Sequence, residues 1–167
     1  MKKKIVSVVM GSDSDIAVMD EAIKILQEFK IGFEVIITSA HRSPKRTSLY
    51  AQRASSRGIE VIIAGAGHSA HLAGVIASYT TLPVIGVPID SSPLSGIDAL
   101  FSTVQMPAGM PVAAMAVGKS GARNAAIFAA QILCASHPEI KEEIEAYRKK
   151  LAKKLTEKSK ALEKQYS

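Results

Sequence analysis

Residues 5–15 read Ile-Val-Ser-Val-Val-Met-Gly-Ser-Asp-Ser-Asp, an apolar run that ends abruptly in glycine, hydroxyl and carboxylate side chains. The run predicts a strand that is buried on both faces, because it lacks the polar alternation of a half-exposed strand. Comparable β-branched runs follow at 33–38, 59–64, 83–87 and 111–117. Amphipathic or alanine-rich segments of helical length lie between and after them, at 16–30, 44–57, 69–79, 94–104 and 121–136. This alternation predicts an α/β fold, a three-layer sandwich whose doubly wound parallel sheet carries helices on both faces.

The last part of the chain has a different pattern. Apolar residues recur there at helical spacing within a highly charged sequence, at Ile140, Ile144, Tyr147, Leu151, Leu155 and Leu162. The spacing predicts a long C-terminal amphipathic helix. At 1.5 Å per residue, a helix of about 25 residues outreaches a domain of this size. We therefore divide the chain into a catalytic domain, 1–137, and a helical tail, 138–167, that packs on a neighbouring subunit rather than on its own domain.

Charge and composition exclude several classes of function. The net charge of +6 comes from Lys2–Lys4 and from residues 138–167, whereas residues 5–137 carry nine basic and nine acidic side chains. With 5% aromatic residues and no tryptophan, the sequence offers no basic, aromatic surface, and we expect no nucleic-acid partner. The apolar run 5–10 is too short for a signal peptide, and no run is long enough to span a membrane. A single cysteine, Cys134, and no zinc spacing predict a soluble, cytoplasmic protein without a metal.

Polar residues that directly follow the predicted strands are the candidate site, because ligands of open α/β sheets bind beyond the carboxyl ends of the strands. The first such loop is Gly11-Ser12-Asp13-Ser14-Asp15. One of these side chains suffices to cap the next helix. The remaining hydroxyls and carboxylates, placed at a helix N-terminus, suit a ribose 5-phosphate, whose sugar hydroxyls would bind to carboxylates and whose phosphate would bind to hydroxyls.

The second loop, Ser39-Ala40-His41-Arg42, contains the best candidate for proton transfer. An imidazole can both accept and donate a proton near neutral pH, so His41 is the predicted acid or base. The planar guanidinium of Arg42 suits a phosphate or a carboxylate. A surface histidine next to a solvated arginine is the alternative interpretation of this pair.

The third loop, 65–74, has two interpretations. Gly65, Gly67 and Ala70 fit the G-x-G-x-x-G/A pattern of dinucleotide-binding enzymes, with Asp90 as a possible ribose ligand, which makes an oxidoreductase an alternative function. However, that pattern belongs to the first βα turn, and this is the third. The glycines would more simply let the backbone approach a small ligand, with His71 either buried or donating to it.

Five motifs together resemble those of the PurE family of 5-(carboxyamino)imidazole ribonucleotide mutases of purine biosynthesis. They are Gly11-Ser12-Asp13-Ser14-Asp15, Ser39-Ala40-His41-Arg42, Ala64-Gly65-Ala66-Gly67, Ala70-His71-Leu72 and Gln105-Met106-Pro107. The resemblance covers residues 5–136. It implies a flavodoxin-like sheet, a homo-octamer with the tail helix reaching across subunits, and no cofactor. It further implies that His41 is catalytic and that Ser12, Asp15 and Arg42 bind the phosphate and ribose. From their places in the strand-end loops, we also expect Asp13, Ser39, Gly65, Gly67, Ala70 and His71 to contact the substrate.

The chemistry that the resemblance implies is a transfer of carbon dioxide. The exocyclic nitrogen loses carbon dioxide, the neighbouring ring carbon captures it again, and His41 removes the proton of that carbon. The glycines at 65 and 67 would enclose the trapped carbon dioxide.

One part of the third loop departs from the family pattern. The family commonly reads Gly-Gly-Ala-Ala-His-Leu-Pro-Gly where this chain has Gly67-His68-Ser69-Ala70-His71-Leu72-Ala73-Gly74. If position 68 requires a positive φ, histidine is tolerated there with some strain. The substitution is either peripheral or alters the carbon dioxide pocket. Because direct aminoimidazole ribonucleotide carboxylases differ in this same loop, direct carboxylation is the main alternative to the mutase reaction.

Overall fold

The structure, a computed structural model, describes residues 3–166 and contains one parallel sheet. Three residues lie outside the described residues. Met1 and Lys2 begin the predicted catalytic domain, where Lys2 is part of the predicted N-terminal charge, and Ser167 ends the predicted tail. The order of the strands is β2-β1-β3-β4-β5, and every neighbouring pair is parallel. The strands are β1 (Val6–Met10), β2 (Phe33–Ile37), β3 (Val61–Gly67), β4 (Val84–Ile89) and β5 (Ala113–Ala114). This order is that of flavodoxin-like sheets, as expected.

Helices cover both faces of the sheet. They are α1 (Ile16–Glu28), α2 (Pro44–Ala54), α3 (Leu72–Ala77), α4 (Ile97–Val104), α5 (Lys119–Leu133) and α6 (Glu139–Tyr166). The helices α1 and α5 pack together on one face, whereas α2, α3 and α4 cover the other. The three-layer α/β sandwich predicted from the sequence is therefore confirmed.

The central strands explain why uninterrupted apolar runs were needed. Val8 belongs to the core beneath α1 and α5, while its neighbour Val9 belongs to the core beneath α2 and α3. Successive side chains of a strand point to opposite faces, so a strand covered on both faces must be apolar throughout. The same alternation separates Ile63 from Ile62 in β3.

The two outer strands differ from the prediction. We expected all five runs to be buried, but β2 is an edge strand, and Val35 and Ile37 are both more than 40% exposed. At the opposite edge, only Ala113 and Ala114 of the predicted strand 111–117 pair with β4. An edge strand has one neighbour and less cover than a central strand, so its apolar content does not ensure burial in a single chain.

The predicted C-terminal helix is present, and its two halves differ. Ile140 and Ile144 are buried in the core with α1 and α5, and the ring of Tyr147 packs edge-on against Phe29 at 5.4 Å between centroids. Beyond Lys150 the apolar residues are exposed, with Leu155 at 71%. The first half therefore packs on its own domain, contrary to the expectation for the whole tail, and contact with a neighbouring subunit remains a prediction for the second half. Within residues 3–166, no helix is long and apolar enough to cross a membrane.

Candidate functional site

The loops after β1, β2, β3 and β4 surround a cavity of about 580 Å³ at the carboxyl edge of the sheet. It lies where the chain leaves β1 and β3 in opposite directions, the position at which doubly wound sheets bind ligands. The cavity brings together most of the residues selected from the sequence, namely Ser12, Asp15, Ser39, His41, Arg42, Gly67 and His71.

In the first loop, the candidate residues Ser12 and Asp15 cap the turn that leads into α1. The Ser12 hydroxyl accepts a hydrogen bond from the backbone N–H of Ser14 at 3.4 Å, and the Ser12 N–H donates to the Asp15 carboxylate at 3.0 Å. This reciprocal pair is a capping box, and it fixes the short 3-10 turn Asp13–Asp15 that leads into α1. Capping therefore holds both side chains at the cavity wall.

Asp13 occupies a different place. It is exposed and lines an adjoining groove with Arg42 and Arg46 rather than the cavity itself. Its carboxylate accepts a hydrogen bond from the Ser12 hydroxyl at 3.0 Å, and this bond lowers the pKa of Asp13. The structure thus orders Asp13 without directing it into the cavity.

Asp15 is the buried carboxylate of the site, with 5% of its surface exposed. Burial raises its pKa, because removal from water disfavours the charged form. Backbone hydrogen bonds from Ser12 and Gly11 and the charge of Arg42 oppose that rise. A desolvated acceptor of this kind suits a neutral donor such as a sugar hydroxyl.

The second loop places His41 against His71 of the third loop. Nε2 of His41 lies 2.9 Å from Nδ1 of His71, and the two rings are nearly perpendicular at 85° with centroids 5.0 Å apart. Such a bond requires that one nitrogen carry the proton and the other accept it, so the protonation of one ring constrains the tautomer of the other. Both rings line the cavity, and neither histidine is buried in the core.

Arg42 links the second loop to the first. Its Nη2 donates to the Gly11 carbonyl at 2.8 Å, and its backbone N–H donates to the Ser39 hydroxyl at 3.2 Å. The guanidinium has five N–H donors, so this contact leaves others for a ligand. Arg42 and Ser39 are donors suited to an anion, and Ser12 adds a third when its hydroxyl turns away from Asp13.

The predicted glycine-rich loop is partly a strand. Gly65 and Gly67 lie within β3, and Gly65 does not line the cavity: a Cβ there would collide with Sδ of the buried Met19. Ala70 is also buried away from the cavity. In dinucleotide-binding enzymes the glycines form the turn that opens a helix, whereas α3 begins only at Leu72. The structure therefore contradicts the dinucleotide-binding interpretation, and packing explains Gly65.

Ser91 is a cavity residue that the sequence analysis missed. It lies in the loop that begins after Ile89, the last residue of β4. The rule that selected polar residues after the other strands would therefore have found it. A Cβ on Gly67 would collide with the Ser91 hydroxyl, and this contact explains the glycine. Gly11, Ser14, Ala40, Ala66, His68, Ser69 and Leu72 complete the lining.

His68 has the positive φ that the family comparison suggested, at 54°. Across residues 3–166, no group of three or more histidine, cysteine, aspartate or glutamate side chains is arranged to hold a metal ion.

Comparisons with known proteins identify relatives of this chain. The family model described as AIR carboxylase matches residues 5–154. N5-carboxyaminoimidazole ribonucleotide mutase of Pyrococcus horikoshii is 55% identical over 97% of this chain and 90% of its own length. Phosphoribosylaminoimidazole carboxylase of Schizosaccharomyces pombe is 47% identical over 98% of this chain, which corresponds to 29% of that longer protein.

Among solved structures, the crystal structure of Treponema denticola PurE superposes with a TM-score of 0.85 and 26% identity, covering 95% of this chain and 98% of that one. Three findings agree: the family model matches most of the chain, a relative is 55% identical, and a solved structure of PurE shares the architecture. The chain belongs to the AIR carboxylase family.

Proposed function

We propose that the chain is an N5-carboxyaminoimidazole ribonucleotide mutase, an isomerase of purine biosynthesis that moves a carboxylate from the exocyclic nitrogen to the adjacent ring carbon. The observation that carries the proposal is the His41–His71 pair, which faces the same cavity as Ser12, Asp15 and Arg42. The identity of 55% to a mutase over nearly the whole chain supports it.

Substrate binding is assigned to the two sides of the cavity formed by the first and second loops. Arg42, Ser12 and Ser39 would hold the phosphate, because a guanidinium and two hydroxyls supply donors once the Ser12 hydroxyl turns from the Asp13 carboxylate to the ligand. The buried carboxylate of Asp15 would accept hydrogen bonds from the ribose hydroxyls. Gly67 would let the backbone approach the aminoimidazole ring.

In the first half of the reaction, protonated His41 donates a proton to the exocyclic nitrogen as the nitrogen–carbon bond of the carbamate breaks. The electron pair of that bond stays on the nitrogen, and carbon dioxide leaves. The aminoimidazole is an enamine, so its ring carbon then attacks the trapped carbon dioxide and forms the new carboxylate.

In the second half, the ring carbon still carries its hydrogen, and neutral His41 removes that proton to restore the aromatic ring. One proton is donated and one is recovered, so the cycle balances and the residues of the cavity need no cofactor for this chemistry. The bond to His71 orients His41 for both transfers. Confinement makes recapture effectively intramolecular, which is favourable in entropy.

The second candidate is direct carboxylation of aminoimidazole ribonucleotide, because the family description and the S. pombe relative both carry that name. The two reactions differ in their substrates. We therefore expect the purified chain to convert the carboxyamino compound without bicarbonate. Conversion of aminoimidazole ribonucleotide with bicarbonate alone, and not of the carboxyamino compound, would replace the mutase with the carboxylase. Cytoplasmic location and octameric assembly also belong to the proposal.

A further inference from the structure

Three of the four histidines of the chain line the cavity, and the proposed mechanism employs only two of them. The third, His68, lies on the side of the cavity formed by the loops after β3 and β4, opposite Arg42 on the β2 side. It is the position at which this chain carries a histidine in place of the glycine common in the family.

The backbone conformation of His68 is unfavourable for a residue that has a Cβ. At a φ of 54° the residue lies in the left-handed region, where glycine is free of strain and a residue with a Cβ is not. Strained residues occur at functional sites, but Lys30 and Ser95 share this conformation outside the cavity lining, so strain alone assigns no role. What distinguishes His68 is that its imidazole lines the cavity, where it can contact a ligand.

A neighbouring hydroxyl holds the ring in place. Nδ1 of His68 lies 3.4 Å from the Ser91 hydroxyl, which occupies the space left by the absent Cβ of Gly67. When Ser91 donates its hydrogen to Nδ1, the ring proton resides on Nε2, and Nε2 becomes a donor for a ligand. Gly67, Ser91 and His68 thus form one arrangement that presents a single N–H group.

The charge of the ligand indicates what that group binds. A carboxylated ribonucleotide has two anionic parts, and Arg42, Ser12 and Ser39 already account for the phosphate. On the opposite side, the described lining residues that can donate are His68, Ser69, His71 and Ser91. His71 is engaged with His41 and Ser91 with His68, so the His68 ring and the shorter Ser69 side chain are the donors left for the second anionic part. We propose, on the basis of the mutase function above, that His68 binds the carboxylate that the reaction moves and thereby favours carboxylated over uncarboxylated ribonucleotides.

The test compares two ligands that differ only in the carboxylate. Calorimetry measures the dissociation constants of aminoimidazole ribonucleotide and of its 4-carboxy derivative with the wild type and with His68→Gly. We expect the variant to bind the carboxylated ligand about tenfold more weakly, the range of a charge-assisted hydrogen bond. Its affinity for the uncarboxylated ligand should stay within about twofold. Because glycine suits the left-handed backbone, the variant should fold.

Two further variants control for strain and for positioning. Lys30 also has a positive φ, 57°, and lies far from the cavity lining, so Lys30→Gly relieves strain without touching the site. It should leave both affinities unchanged. Ser91→Ala should weaken binding of the carboxylated ligand in the same direction as His68→Gly, but less.

Two results would overturn the inference alone: unchanged affinity of His68→Gly for the carboxylated ligand, or an equal loss for both ligands. A wild type that binds neither ribonucleotide would overturn the proposed function and this inference with it.

Discussion

At the scale of single residues, His41 is positioned by its own loop and by contacts of that loop with the first and third loops. Its backbone follows Ser39 and Ala40 at the end of β2, its ring bonds to His71, and the adjacent Arg42 is tied to Gly11. Proton transfer requires that the donor lie within hydrogen-bond reach of the reacting atom, so these contacts matter as much as the chemistry of the imidazole. Binding and catalysis are assigned to different side chains, and variants should separate them.

Replacing His41 by asparagine should abolish turnover while ligand affinity stays near that of the wild type. Asparagine retains a polar amide but cannot exchange a proton near neutral pH, and general acid–base catalysis contributes roughly 10²- to 10⁴-fold. Arg42→Ala is the matched comparison, because it should chiefly weaken binding. Calorimetric affinity and the rate of loss of the carboxyamino substrate are measured on each variant. If His41→Asn turns over within a few-fold of the wild type, His41 is not the proton-transfer residue.

Asp15→Asn should stabilise the fold at neutral pH and weaken ribonucleotide binding. Burial raises the pKa of Asp15 above that of the unfolded chain, so ionisation disfavours the folded state. The contribution of Asp15 to stability is therefore full below the unfolded value of 3.8 and is lost as pH rises through the folded value. Urea unfolding from pH 4 to pH 8 should show an advantage of the variant that grows with pH and then levels off. An advantage that shrinks with rising pH would contradict this assignment.

At the scale of elements, the sequence predicted the central strands better than their ends. The runs that form β1, β3 and β4 are apolar because both faces are covered, and that requirement is visible in the residues themselves. The C-terminal end of β3 could not be predicted from the sequence, because Ala66 and Gly67 have low β propensity. They belong to the strand because they pair with β4. Tertiary contacts therefore moved the glycines from the predicted loop into the strand.

The site residues were also predictable only in part: their positions after strands could be predicted, whereas contacts between distant segments could not. The carboxyl-edge rule located Ser12, His41 and Arg42 from the sequence, since each follows an apolar run. It could not show that Gly65 packs on Met19, which is a contact between segments far apart in the chain. Ser91 was missed although the rule applied to it.

Gly65→Ala should destabilise the fold. The new methyl group would displace the buried Sδ of Met19, and overpacking of a core costs about 1–3 kcal/mol. Gly11→Ala is a matched control for the added Cβ, because a Cβ there would make only ordinary contacts, at 3.5 Å to Asp15 and 4.0 Å to Ala66, and the residue has no positive φ. Chemical unfolding measures both variants. An unchanged free energy of unfolding for Gly65→Ala would show that Met19 moves freely and that packing does not explain the glycine.

At the scale of the whole molecule, the tail divides into a part that belongs to the domain and a part that extends from it. Removal of residues 151–167 deletes the exposed Leu151, Leu155 and Leu162 but retains the buried Ile140 and Ile144. We expect this truncation to fold and to form a smaller assembly than the full chain. Sedimentation measures the mass, and circular dichroism checks the fold. An assembly with the same number of subunits would show that the second half of α6 does not join subunits.

We expect the cavity to transfer a carboxylate within one bound ribonucleotide and to retain the carbon dioxide between the two steps. The direct measurement supplies carboxyamino substrate labelled with ¹³C in its carboxylate, in the presence of excess unlabelled bicarbonate, and determines the mass of the 4-carboxy product at early times. Trapping predicts that the product retains most of the label. A product whose label matches that of the bicarbonate pool would contradict the account, because the carboxylate would then have come from solution.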